Sequence, residues 1–215
     1  MAIPKPTAER LSQLARLLSQ RGKTSPISSA EIEQMTGWTS NTIRKDISSL
    51  EAGSEIATST GYDPQLLSQA IRESLNLTAS ATKCCIVGLG RLGSAFLEYS
   101  GFHDSPFSLC AGFDSNVNRV EILKADFPLY PTFKMKDVIP RMGITFAILS
   151  VPPGQAQETT DRLIDCGIIG IANFTPAIIS VPSGIEVENI SILDALGSIS
   201  ARLAAKNQSS LRSEQ

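Results

Sequence analysis

The sequence predicts an α/β protein in two parts, a small helical head followed by a doubly wound parallel sheet. Three observations carry this. Residues 83–96 run from four apolar or thiol positions into glycines spaced G-x-G-x-x-G, then into an apolar helical pattern. Two short helical segments before residue 50 are joined by a turn containing Gly37. Apolar runs such as 145–151 alternate with helical patterns, as parallel strands buried on both faces require.

The glycine stretch organises the chain. Gly88 permits a tight turn, Gly90 lets a pyrophosphate approach the backbone, and Gly93 lets the helix pack closely on the strand. Leu89, Arg91 and Leu92 fill the loop between them. The helix start offers free N–H groups to phosphates. A second strand, Ser108 to Asp114, ends in an acid 26 residues past Gly88, near the spacing of about 20 for a ribose-binding carboxylate. A carboxylate there accepts from ribose hydroxyls and repels a 2′-phosphate, which points to NAD(H) rather than NADP(H). The alternative for the same residues is a structural glycine turn with Asp114 solvated. In an open sheet, ligands sit beyond the strands' C-terminal ends. Ser150, Val151 and Pro152, with Asn173, Phe174 and Thr175, therefore join Gly88–Gly93 around one crevice.

Composition sets the class. The chain has 215 residues, 42% hydrophobic and 19% charged, which fits one or two ordinary globular domains. No apolar run approaches the roughly 18 residues of a membrane span. The first residues lack the apolar core of a signal peptide, so the expected location is cytoplasmic. Cys84, Cys85, Cys110 and Cys166 lack metal-ligand spacing and read as buried reduced thiols; no metal is expected. Net charge is −2, split as +3 over residues 1–50 and −5 over the rest. That asymmetry suits a DNA-contacting head on an acidic body.

In the head, Thr7 is placed to cap a first helix to about Gln20, with Leu11, Leu14, Leu17 and Leu18 inward and Gly22 as its stop. Ser28 and Glu31 form a capping-box pattern, and Ile32 and Met35 point inward. Thr39 or Ser40 caps a third helix from Asn41 to about Leu50. Ile43, Ile47 and Leu50 face its core. Asn41, Lys45 and Ser48 lie opposite, with Ser40, Thr42 and Arg44 beside them. Those six side chains suit a recognition helix in a major groove; the alternative is a solvated face of a small bundle. Residues 53–61 suit a β-wing. Asp63 and Pro64 start a helix with Leu66, Leu67, Ala70, Ile71 and Leu75 inward. The head spans residues 1–77 and a small-residue linker residues 78–82.

The sheet domain spans residues 83–206. Expected are a helix at 117–125, a short strand within 128–131, a helix at 135–141 closed by Gly143, and a strand at 145–151. A helix from Pro152–Pro153 to Cys166, a strand at 167–172 and a last strand at 186–190 follow. Ser191 and Asp194 start a final helix to about Lys206, with Ile192, Leu196, Ile199 and Leu203 as its stripe. That helix packs on its own domain or on a partner. Residues 207–215 read as a disordered tail.

With a winged head and a dinucleotide domain in view, the chain resembles the Rex family of redox-sensing transcriptional repressors. The resemblance runs from Ile3 to about Lys206. It rests on Ile3–Pro4–Lys5–Pro6–Thr7 with Arg10–Leu11, on Thr42–Ile43–Arg44–Lys45–Asp46, on Gly61–Tyr62–Asp63, and on the glycine motif. Tyr99 with Gly101–Phe102, Val151–Pro152 with Ala156–Gln157, Asn173–Phe174–Thr175–Pro176 and Val181–Pro182 complete it. It implies a homodimer on a palindromic operator, released by NADH and permitted by NAD+, with the terminal helix exchanged between subunits. It places Tyr99 near the nicotinamide and makes Arg16 a switching arginine. Ser191 stands where the family usually has an acid that partners them, and it carries no charge. Residues 55–61 lack the bases of the family wing, which implies fewer phosphate contacts and a shallower salt dependence.

Two other functions fit parts of the pattern. A dehydrogenase needs a proton donor or acceptor near the ring. The only histidine, His103, follows the first helix of the sheet domain, away from the strand ends, so no enzyme is expected. A nucleotide-binding relative without DNA binding fits the neutral wing and Ser191.

Overall fold

The computed structural model describes residues 3–21, 25–51, 56–58, 60–77, 82–102 and 105–213, with side chains as far as 205. The expectations for Gly22, for most of the wing, for the linker residues 78–81 and for His103 lie outside these. The chain divides into two compact units, Met1–Ser80 and Ala81–Gln215.

The first unit is a helix-turn-helix with a small β-ladder. Helix α1 (Lys5–Gln20) starts earlier than expected. Pro4 is its extended N-cap residue and a proline falls in the first turn, where a missing N–H costs nothing. Thr7 is therefore not the cap; inside the helix, its hydroxyl donates to Asp46 at 3.1 Å. Helix α2 (Ser29–Thr36) has the full capping box between Ser28 and Glu31 and ends at the left-handed Gly37. Ile32 is fully buried, but Met35, in the last turn, is exposed. Helix α3 (Ser40–Ser48) is capped by the Thr39 side chain. Strands β1 (Ala57–Thr58) and β2 (Gly61–Tyr62) pair antiparallel, and Tyr62 bridges back to Ile27. Helix α4 (Pro64–Ser74) is capped by Asp63. Leu67, Ala70 and Ile71 are buried there; Leu66 lies outside their stripe and is exposed. One apolar cluster of α1, α2, α3 and α4 residues holds the unit together.

The second unit is a six-stranded sheet in the order β5-β4-β3-β6-β7-β8, parallel throughout. The strands are β3 (Thr82–Val87), β4 (Phe107–Asp114), β5 (Leu129–Pro131), β6 (Phe146–Leu149), β7 (Gly170–Asn173) and β8 (Glu186–Asn189). This is the doubly wound order, with its reversal between β3 and β6. Side-chain alternation on β3 feeds both faces: Cys85 and Val87 join one buried cluster and Ile86 the other. Helix α5 (Arg91–Ala95) is short, giving way to a 3-10 turn at Phe96–Glu98. Tyr99 follows that turn in an extended conformation. Helix α6 (Val117–Ile122) stops three residues early, whereas α7 (Met135–Met142) and its Gly143 cap follow expectation. Helix α8 (Ala156–Asp165) follows a 3-10 turn at Pro153–Gln155. Ser191 caps α9 (Ile192–Ser213), accepting from Asp194 N at 3.1 Å. That helix runs past Lys206 because neither Gly nor Pro follows Gly197 to stop it.

Candidate functional site

Helix α3 gathers the predicted reading residues on one side. Asn41, Arg44, Lys45 and Ser48 are exposed, and Ser40 and Thr42 are half-buried. Ile43 and Ile47 pin the opposite side to the core. Asp46 locks the helix to α1. It accepts from Arg10 Nε at 2.6 Å, from Arg10 Nη2 at 2.8 Å and from Thr7. The Asp46 hydrogen bond holds the Arg10 guanidinium above its ordinary pKa. Some polar groups on the face are already engaged. Ser40 donates its hydroxyl and its backbone N–H to Glu33 of α2, and Thr42 shares a hydroxyl contact with Thr39. The Ser40 bonds hold the Glu33 carboxyl below the usual carboxylate range.

In the second unit a cleft of about 520 Å³ opens at the reversal point between β3 and β6. Gly88, Gly90, Asp114, Ser150, Val151 and Pro152 line it, six of the residues picked out from the sequence. Gly88 has φ +92°, and a Cβ there would lie 2.5 Å from the Ser150 carbonyl oxygen. At Gly93 a Cβ would collide with the Gly88 carbonyl and reach Ser150 Oγ. At Gly90 it would meet nothing within 4 Å, so this glycine leaves room beside its backbone. Ser150 closes the loop from the β6 side, its hydroxyl donating to Gly88 O at 2.7 Å. With α5 only five residues long, the cleft offers loop N–H groups rather than a long helix dipole.

Asp114 is buried and serves the protein first. Oδ2 accepts from Leu89 N at 2.7 Å and from Arg119 Nη1 at 3.0 Å, and Oδ1 accepts from Asn116 N at 2.7 Å. A carboxylate has about four lone-pair sites, so one acceptor site remains for a ribose hydroxyl. Arg119 offsets the charge that was expected to repel a 2′-phosphate.

Other predicted residues are placed differently. Leu89 is buried beneath the loop, while Arg91 and Leu92 are exposed. Asn173 ends β7 with its side chain turned inward, bonded to Ala177 O, Asn189 and Thr175. Asn173 and Thr175 thus shape the loop that carries Phe174. The Phe96 ring lies between Phe174 and Tyr99, at 5.1 Å and 6.2 Å centroid distances, both edge-on. Tyr99 is exposed, and its ring lies on Gly101, where a Cβ would touch it. Ser191 is half-buried in this unit, and Arg16 is exposed in the other.

The sequence reading missed part of the wall. Ser115, Arg119 and Thr132 follow the ends of β4 and β5, and Gln155, Glu158, Thr159 and Arg162 come from α8 and the turn before it. Those four fall at helical spacing on one face, which from sequence alone reads as an ordinary solvated surface.

The cysteines stand apart from this cleft. All four are free thiols, and burial pushes Cys84 up to about 12 and raises Cys85, Cys110 and Cys166. Among the described residues no cluster of three His, Cys, Asp or Glu side chains could hold a metal, and no helix is long and apolar enough to cross a membrane.

Comparison with known proteins places both units. Residues 2–48 match the family described as putative DNA-binding protein N-terminus, and residues 79–177 match the CoA binding domain. The redox-sensing transcriptional repressor Rex of Ligilactobacillus salivarius is 35% identical over 90% of this chain and 91% of its own length. That of Leuconostoc citreum is 34% identical over 90% and 89%. Among solved structures, RSP, a Rex-family repressor, superposes with a TM-score of 0.81 at 30% identity, covering 97% of both chains. RSP in complex with β-NADH gives 0.83 at 29% identity, again over 97% of each chain. RSP with β-NAD+ and operator DNA gives 0.80 at 29%, covering 100% of this chain and 99% of that one. With identity of this extent along nearly its whole length, this chain belongs to the Rex family of redox-sensing transcriptional repressors.

Proposed function

We propose that this protein holds operator DNA through α3 and releases it when NADH fills the cleft beside Gly90. The carrying observation is the glycine loop: it leaves open space at Gly90 and is latched from below by the Asp114 carboxylate. The loop backbone takes the pyrophosphate, and the last acceptor site of Asp114 takes a ribose hydroxyl. The cofactor supplies a ring that is positively charged when oxidised and neutral when reduced. Equal affinity for the two forms would shift nothing, so the pocket must tell them apart. Val151, Pro152, Phe174 and Tyr99 give the ring apolar surroundings, which disfavour the charged form.

Two copies joined through α9 would present two α3 helices to a palindrome in the cytoplasm, which makes the protein a regulator rather than an enzyme. Arg16, Tyr99 and Ser191 would carry the signal between the units. Ser191 is uncharged and its hydroxyl caps α9, so it supplies no anion for Arg16.

A gel shift on a palindromic operator tests this. The complex should form with NAD+ and dissociate as NADH is added. A second reading, a nucleotide-binding relative that has lost DNA, draws on the uncharged Ala57, Thr58 and Thr60 and on the CoA-binding match. It predicts no shifted band under any cofactor mixture.

A further inference from the structure

The reading surface has a contributor outside α3. Glu33, on α2, is exposed, and one of its carboxylate oxygens accepts twice from the first residue of α3. Ser40 N donates at 2.9 Å and Ser40 Oγ at 2.5 Å. A serine hydroxyl has one proton, and here it is given to Glu33. Only lone pairs remain for any other partner. The N-terminal residues of a recognition helix are those that contact base edges. In the major groove, adenine N6 and cytosine N4 donate, whereas guanine and thymine present acceptors.

We propose that Glu33 and Ser40 form an acceptor-only reading position, which selects an adenine or cytosine amino group at one operator base and refuses guanine and thymine there. The inference rests on α3 being the DNA-reading helix. Ser40 makes the contact. Glu33 is a positioning residue that fixes the direction of the Ser40 hydroxyl, whose bonds hold the carboxyl below its usual range. The carboxylate also sets an anion near the phosphate backbone, which weakens binding to all sequences alike.

The test is selection from a pool of randomised duplex DNA, using the full chain with NAD+ present. Wild type should enrich a palindrome with an amino-bearing base at one position and its symmetry mate. Ser40→Ala and Glu33→Ala should each lose roughly tenfold preference there, the scale of one mismatched base pair, and keep the rest of the pattern. Glu33→Gln retains an accepting oxygen and should keep the preference. Both Glu33 variants should bind non-specific DNA more tightly, because an anion has gone.

The proposal is overturned if Ser40→Ala and Glu33→Ala select the same base as strongly as wild type. It is also overturned if Glu33→Ala weakens every sequence by one factor, which would make Glu33 a brace between α2 and α3. If wild type enriches nothing, the DNA-reading role of α3 falls first and this inference falls with it. Ser40→Ala keeps the backbone N–H bond to Glu33, so it remains informative should Glu33→Ala fail to fold by circular dichroism.

Discussion

Asp114 shows how one residue ties sequence spacing to a cleft. Its two oxygens satisfy two backbone N–H groups and one guanidinium, so the carboxylate shapes the glycine loop before any ligand arrives. Asp114→Asn replaces one acceptor with an NH₂ among donors. An unpaired buried donor costs about 1–3 kcal/mol. The expected outcome is at least a tenfold loss of NADH affinity by calorimetry and a lower melting temperature, with head-unit helicity unchanged. Wild-type affinity in this variant would show that the latch has no bearing on the cleft. Phe174 is the other informative residue. It sits on Phe96 at the tip of a loop that Asn173 and Thr175 hold from inside. If the ring sits beside Phe174 as proposed, Phe174→Asp puts an anion next to the charge of the oxidised form, and the NADH/NAD+ affinity ratio should fall. An unchanged ratio would place the ring elsewhere.

At the scale of elements, the junction of α1 with α3 is held by a charge pair within an apolar unit. Asp46 keeps 8% of its side-chain surface and Arg10 keeps 28%. Removing one partner of a buried pair costs about 3–5 kcal/mol, and the partial exposure of Arg10 brings this to roughly 2–4. Asp46→Ala should lower head-unit stability by that amount in urea unfolding and leave NADH binding intact. Asp46 also explains an expectation that failed. Thr7 has the chemistry of a cap, but Pro4 starts the helix, and Thr7 is worth more as a donor to Asp46. Local propensity named a cap, but Pro4 starts the helix, and the hydroxyl's partner lies 39 positions away.

For the whole molecule, α9 is the unfinished part. Ile192, Leu193, Leu196, Ile199 and Leu203 are all exposed, Ile192 and Leu193 by 78%. An apolar stripe of this length facing water marks a site of association. The proposed occupant is the same helix region of a second copy. Leu196→Glu with Ile199→Glu should convert a dimer into monomer by analytical ultracentrifugation. Operator affinity should drop steeply in the same variant, because two heads no longer bind one palindrome together. A dimer that survives both substitutions would move the interface off α9.

The glycine spacing, the acid ending the second strand and the apolar runs were enough to determine the parallel sheet and the loop over which a cleft opens. The capping box and Asp63–Pro64 likewise set their helix starts, because each works through neighbours two or three residues apart. What only the tertiary structure decided is the far wall of the cleft. Arg119, Thr132 and Arg162 look like solvated surface until the crossovers bring α6, the residue after β5 and the exposed face of α8 together. The same holds for Asp114, Asn173 and Ser40. Their residue types announce hydrogen bonding, but which partner takes each bond depends on groups distant in sequence, and a linear pattern does not carry that information.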